Sequence, residues 1–166
     1  MNQLLALGLV LLLPLTTSAR NFGSIQVEGP LRSELNKVLK ATVELHSACI
    51  EQNDQRIKSS LSAVISSIDK AGRQASLAED DRMLLLKMLD SARAQLQATR
   101  MNQGDLKIEA LKESFNQLVQ IAQVFKLDSY RIFFCPKDQS VWIQESLKAK
   151  NPVNPDKYAD CGNRVR

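Results

Sequence analysis

The sequence has few of the residues on which enzyme active sites depend. It contains a single histidine, His46, and only three cysteines. It has no G-x-S-x-G motif, no H-E-x-x-H motif and no glycine-rich phosphate-binding run. A dyad of Cys135 and His46 is conceivable, but a Cys–His nucleophile needs an orienting third group that the sequence does not identify. The sequence therefore predicts a protein that is not an enzyme.

A block of basic residues is also missing, as is any long apolar run beyond the N-terminus. The formal net charge of +4 is spread along the chain, which supports solubility rather than nucleic-acid binding. No later segment is apolar over the roughly 20 residues that a transmembrane helix needs. We therefore expect no nucleic-acid partner and no membrane span in the mature chain.

The N-terminal segment lacks charged side chains altogether. Residues 1–19 carry none, and residues 4–15 form an almost unbroken apolar run. Small residues at Thr17 and Ala19 suit cleavage after Ala19. The pattern predicts a secretory signal peptide over residues 1–19, with a retained N-terminal anchor as the alternative. Export would place the chain in an oxidising compartment, where disulfides persist.

Four segments with helical periodicity have no proline in their interior. Their apolar residues recur three and four positions apart, and short links join the segments. We expect helices over about 30–51, 54–71, 76–100 and 105–127. The pattern predicts an all-α fold, an antiparallel up-down four-helix bundle.

Local signals suggest how these helices begin and end. Gly72 follows the last apolar position of the second helix, where a left-handed cap is expected. Ser76 and Glu79 have the spacing of a capping box for the third helix. Asp105 is expected to cap the fourth helix.

Residue types that are rare elsewhere gather after the fourth helix. Residues 130–162 hold two of the three cysteines, the only tryptophan and both tyrosines. Two short β-prone runs separated by turn signals predict an irregular, Cys-bounded flap with a short β-hairpin. The predicted organisation is a signal peptide at 1–19, a lead at 20–29, a bundle at 30–127, and a flap at 128–166 that packs on the bundle within the same domain.

The cysteines leave two interpretations open. Cys135 and Cys161 could form a disulfide across 26 residues of a segment with little regular structure. Alternatively, Cys135 and Cys161 could join His46 and Cys49, which lie three residues apart on the first helix, in a thiolate site for Cu(I) or Zn(II). Cys49 also suits a plain core position, because a free cysteine behaves as a small hydrophobe.

Trp142 has two possible roles as well. It could stack on a ligand, but a lone tryptophan in such a segment is more often the centre of a small core. The expected core of the flap consists of Trp142, Phe134, Tyr130, Pro136 and Pro152.

The closing motifs resemble a family of exported helical domains of unknown function. These motifs are Phe134-Cys135-Pro136, Val141-Trp142-Ile143-Gln144, Lys150-Asn151-Pro152 and Asp160-Cys161-Gly162. Members of that family occur as free periplasmic proteins and as C-terminal domains of copper/silver (CusB-type) efflux membrane-fusion adaptors. The resemblance spans about residues 31–162 and implies a periplasmic location. It also implies partners among envelope or metal-efflux proteins.

The sequence departs from the family pattern at three positions that bear on metal binding. Lys137 replaces the methionine after Cys-Pro, Val153 replaces the aromatic residue of Asn-Pro-Tyr, and Tyr158 lies near the position of the last methionine. The thioether ligands that suit Cu(I) are therefore absent, which favours a structural pairing of Cys135 with Cys161. The leading hypothesis is a non-enzymatic periplasmic binding or accessory module linked to copper/silver handling through these two cysteines. The alternative is a disulfide-stabilised structural or protein-interaction domain without a metal.

Overall fold

The computed structural model describes residues 24–127 and 130–165. The predicted signal peptide at 1–19, with cleavage after Ala19, lies outside the described residues. Four long helices account for most of the described chain. They are α1 (Gly29–Ile50), α2 (Asp54–Arg73), α3 (Glu79–Met101) and α4 (Gly104–Val124). The predicted antiparallel four-helix bundle is confirmed, with α1 packed on α2 and α3 packed on α4.

The helices form because each presents an apolar stripe to a shared core. Pro30 stands in the first turn of α1, where its missing N–H leaves no hydrogen bond unmade. Asn53 caps α2 by accepting a hydrogen bond from the backbone N–H of Arg56 at 3.0 Å. Among the largest fully buried side chains are Leu35, Leu39, Leu45, Leu61, Leu85, Leu96, Phe115, Leu118, Ile121 and Phe125.

Three predictions about helix ends are wrong. Gly72 lies inside α2, which continues to Arg73, and the glycine faces leucine side chains of α3. Helix α3 begins at Glu79 with Ala78 at the N-cap position, so no side chain caps it; three acidic residues in its first turn complement the helix dipole instead. Asp105 also lies in a first turn, that of α4, and does not cap it, since the N-cap residue is Gln103.

The C-terminal flap contains a small antiparallel sheet. Strands β1 (Arg131–Phe134) and β2 (Val141–Gln144) form the predicted hairpin. A very short strand, β3 (Asn163–Arg164), pairs with the other edge of β1. One turn of helix, α5 (Pro155–Tyr158), lies between β2 and β3 in the chain. The flap is thus more regular than the sequence suggests.

The flap fills the seam between the first and last helices of the bundle. Strand β2 packs against both α4 and α1, whereas α1 and α4 contact each other only slightly. Trp142 and Ile143 of this strand are completely buried and belong to the same apolar core as the helices. The flap therefore completes the core rather than merely covering it. Within residues 24–127 and 130–165, no helix combines the length and apolar character needed to cross a bilayer.

Candidate functional site

A disulfide between Cys135 and Cys161 closes the flap. The two Cα atoms lie 5.3 Å apart, and the bond joins positions separated by 26 residues. Cys135 follows β1 and is fully buried, whereas Cys161 is half-buried just before β3. Of the two interpretations of this pair, the structure contains the disulfide.

The other two proposed metal ligands have separate surroundings. His46 is buried, and its Nε2 atom donates a hydrogen bond to the backbone carbonyl of Lys150 at 2.8 Å, since a carbonyl oxygen can only accept. Burial lowers the pKa of His46, and its hydrogen bond to the Lys150 carbonyl opposes that effect only in part. The imidazole therefore anchors α1 to the chain that follows β2.

Cys49 is the free cysteine of the described chain, and it too is buried. Burial raises the pKa of its thiol to about 12, with the positive charge of Lys107 opposing that effect. At neutral pH this thiol is protonated and therefore poorly suited to metal binding or nucleophilic attack.

In the oxidised chain, the four candidate ligands Cys135, Cys161, His46 and Cys49 do not form a soft-metal site. The sulfurs of Cys135 and Cys161 are bonded to each other, so neither is the thiolate that Cu(I) or Zn(II) requires. Across residues 24–127 and 130–165, no group of three or more His, Cys, Asp or Glu side chains is placed to hold a metal ion. A thiolate metal site stays a prediction that would need the reduced protein.

The expected flap core is only partly internal. Trp142 is completely buried and stacks on Phe133, with ring centroids 6.0 Å apart. Pro152 is also buried, Phe134 and Tyr130 are half-buried, and Pro136 is exposed. Because Trp142 has no free face, it packs the protein interior and cannot stack on a ligand here.

Gln144 is a polar centre of the flap that the sequence interpretation missed. This side chain is buried, and its Oε1 accepts from Trp142 Nε1 at 2.7 Å and from the Lys150 N–H at 3.1 Å. Its amide nitrogen lies within 3.0 Å of the backbone carbonyls of both Ser146 and Lys148. The residue thus ties β2 to the loop that follows it. A signal was present, because positions 142 and 144 of a strand share one face.

Asp138 is a second polar centre, in the turn between β1 and β2. One carboxylate oxygen accepts from the N–H and hydroxyl of Ser140, and the other accepts from the side-chain amides of Asn151 and Asn154. Burial alone would raise the pKa of Asp138, but the four hydrogen bonds outweigh burial and hold its pKa below the ordinary value. The carboxylate therefore joins the hairpin turn to the Asn-Pro segment.

Close packing around Gly162 explains why a glycine follows the last cysteine. A Cβ atom placed there would come within 2.8 Å of both the Trp142 ring and the Ala149 methyl group. The backbone of Gly162 thus lies directly on the edge of the buried indole. The closing motifs of the sequence are explained by packing, by hydrogen bonding and by the disulfide.

A groove lies where the flap meets the end of the bundle. Its apolar part has a volume of about 360 Å³ and opens between α1, α2, α4 and the Pro152–Asp156 segment. Its basic part has a volume of about 420 Å³ and opens between α2 and the α3–α4 link. Asp54, Ile57 and Lys107 line both parts, so the two parts are direct neighbours on the surface. A hydrogen bond of 2.6 Å from Gln52 to Asp156 fixes the α1–α2 turn to α5 beside it.

Comparisons with known proteins find no match for the chain. No model of a known protein family matches it, and searches of curated proteins and of solved structures find no match either.

Proposed function

We propose that this protein is an exported, non-enzymatic domain that binds another protein of the cell envelope. The observation that carries the proposal is the Cys135–Cys161 disulfide. Such bonds persist in oxidising compartments and are rare in the cytosol, which supports export. The bond also uses both flap thiols for structure, which removes the strongest candidates for chemistry.

The remaining polar groups of the flap support the same conclusion. Gln144 and Asp138 are each saturated by hydrogen bonds within the flap. His46 is held by a backbone carbonyl, and Cys49 is buried and protonated. What the flap offers to other molecules is a rigid surface, with a groove at its edge. A preorganised surface of this kind lowers the entropic cost of association.

The resemblance to domains appended to copper/silver (CusB-type) efflux adaptors supports a partner in the periplasm. In our proposal this partner is a protein of a metal-efflux assembly. Direct metal handling by Cys135 and Cys161 would require that their disulfide be reduced. In our proposal the domain contributes to such an assembly through protein contacts.

The test begins with thiol counting and elemental analysis of protein purified without reductant. We expect one alkylatable thiol after denaturation, three after reduction, and no stoichiometric copper or zinc. The native protein should react very slowly at pH 8, because the pKa of Cys49 is about 12. Three free thiols together with bound metal would overturn the proposal in favour of a metal-binding module.

Partner binding is tested by photo-crosslinking in cells that produce the full chain. A photoreactive amino acid replaces Asp156 at the edge of the groove or, as a control, the exposed Lys87 in the middle of α3. We expect a discrete adduct with one envelope protein from position 156 but not from position 87. Equal adduct patterns from both positions would contradict a specific binding surface beside the flap.

A further inference from the structure

The basic part of the groove has positive charge that its surroundings do not neutralise. Within the described chain, neither Lys58 nor Arg100 has an ion-pair partner. The nearest carboxylate oxygen to the Lys107 ammonium is that of Asp54, at 3.9 Å, which is the outer limit of an ion pair. Asp54 itself is largely exposed, so water weakens this attraction. An anionic group entering the basic part of the groove would meet three cations, Lys58, Arg100 and Lys107, and one carboxylate, that of Asp54.

The apolar part of the groove has a different chemistry a few residues away. Leu111 and Val153 are almost fully buried in its wall, and the half-buried side chains of Ile57 and Ile108 face it. The thiol of Cys49 also lines this part. Aliphatic walls of this kind bind aliphatic side chains by removing apolar surface from water.

Since Ile57 and Lys107 line both parts, an extended ligand that passes over these two side chains would contact the apolar and the basic part. A strand of peptide carries both kinds of group within a few residues, because each residue of an extended chain adds about 3.3 Å. A nucleic acid fits less well, because the acidic Asp54 and Asp156 line the groove as well and the cations form no extended track.

We propose that the groove binds a short extended segment of a partner protein. In this segment one or two aliphatic side chains fill the apolar part, and a nearby Asp or Glu carboxylate lies against Lys58, Arg100 and Lys107. The inference rests on the proposed function, since it names the kind of segment that the envelope partner would present.

The test uses a display library of random decapeptides, selected on the full oxidised protein. Enriched peptides should carry an acidic residue within about four positions of a Leu, Ile or Val. Synthetic peptides from the selection should bind Lys58→Glu/Arg100→Glu at least about tenfold more weakly than the native chain, and their binding should weaken with salt. The matched control is Lys40→Glu/Lys87→Glu, which makes the same change in net charge at exposed mid-helix positions. This control should bind within about twofold of the native chain.

A second variant, Ile108→Gln, tests the apolar part separately. It should also weaken binding, while helical circular dichroism and Trp142 fluorescence show that the fold is retained. The inference fails if no peptide is enriched over the unselected library. It fails equally if the enriched peptides lack acidic residues, or if the groove and control variants bind alike. Selective binding of single-stranded DNA in place of peptides would also overturn it.

The two proposals can fail independently. A specific adduct from position 156 with no acidic-peptide selection would leave the partner-binding function standing and refute only the type of segment. Free flap thiols with bound metal would refute the function itself, whatever the library shows.

Discussion

Removal of the Cys135–Cys161 disulfide should destabilise the whole domain and not the flap alone. The bond closes a loop of 26 residues. The loop-entropy relation gives about 3.5 kcal/mol at 25 °C for a loop of that size. Domains of this kind are stable by only about 5–15 kcal/mol in total, so the loss is a large share. Because β2 fills the seam between α1 and α4, we expect the helices to lose this stability together with the flap.

Urea unfolding of a Cys135→Ala/Cys161→Ala variant measures this loss with two probes. Trp142 is the only tryptophan and is completely buried in β2, so its fluorescence reports the flap. Far-ultraviolet circular dichroism reports the four helices. With a slope of about 2 kcal/mol per molar urea, both transitions should move down together by about 1.5–2 M.

The matched control is Cys49→Ala, which removes a buried sulfur without breaking a crosslink. It should shift both transitions by far less. A fluorescence transition that moves while the helical transition stays in place would refute the idea that the flap is part of the cooperative core. If neither transition moves, the disulfide does not stabilise the folded domain.

Three further predictions test the packing of the flap. Gly162→Ala should lower the free energy of unfolding in urea by about 1–3 kcal/mol, because its methyl group would overlap the Trp142 ring. Gly72→Ala should raise it by about 0.5–1 kcal/mol, since the added methyl group meets only ordinary contacts inside a helix. The reverse order of stability would contradict these contacts. Gln144→Leu should cost at least about 2 kcal/mol and change the fluorescence of Trp142, because the indole N–H and a backbone N–H lose their acceptor; an unchanged midpoint would show that water replaces the amide. The pKa of His46 is lower in the folded chain than its ordinary value of 6.5, so the folded protein takes up this proton less readily than the unfolded chain. The contribution of His46 to the free energy of unfolding should therefore be fully present above pH 6.5 and be lost as the pH falls from 6.5 through the lower pKa of the folded chain. The loss is about 1.4 kcal/mol for each unit by which the folded pKa lies below 6.5. His46→Gln should flatten this part of the plot of stability against pH.

The helical part of the fold could be predicted because its signal is local. An apolar residue every three or four positions shows which face is buried, whatever that face meets. The ends of the helices were less predictable, as Gly72 shows. Its chemical suitability as a cap did not decide where α2 ends, because the glycine packs against leucine side chains of α3 and the helix continues to Arg73.

The flap was harder to predict, because its structure depends on residues that meet only after folding. Gln144 becomes a hydrogen-bonding centre only when the chain near Lys150 returns to it. Strand β3 has two residues, too few for any periodicity. The number of residues between Cys135 and Cys161 does not determine how far apart the two thiols lie in the fold. The sequence was therefore compatible with both a disulfide and a pair of thiolate ligands. The helical spacing placed His46 and Cys49 near each other on one side of α1. It could not show that the imidazole is hydrogen-bonded to a backbone carbonyl.

The pairing of β3 with β1 also sets an order for folding. The contacts within α1–α2 and within α3–α4 join neighbouring helices, so they can form while synthesis is still in progress. Strand β1 can pair with β2 as a hairpin, but its other edge stays unpaired until Asn163 and Arg164 are in place, together with the hydrogen bond from the Val165 N–H to the Ile132 carbonyl. Until Cys161, which lies just before β3, is also in place, the thiol of Cys135 has no partner. The newly made chain should therefore pass through a helical intermediate that is open to incorrect disulfides with Cys49, and this interval is where an oxidoreductase would act on it.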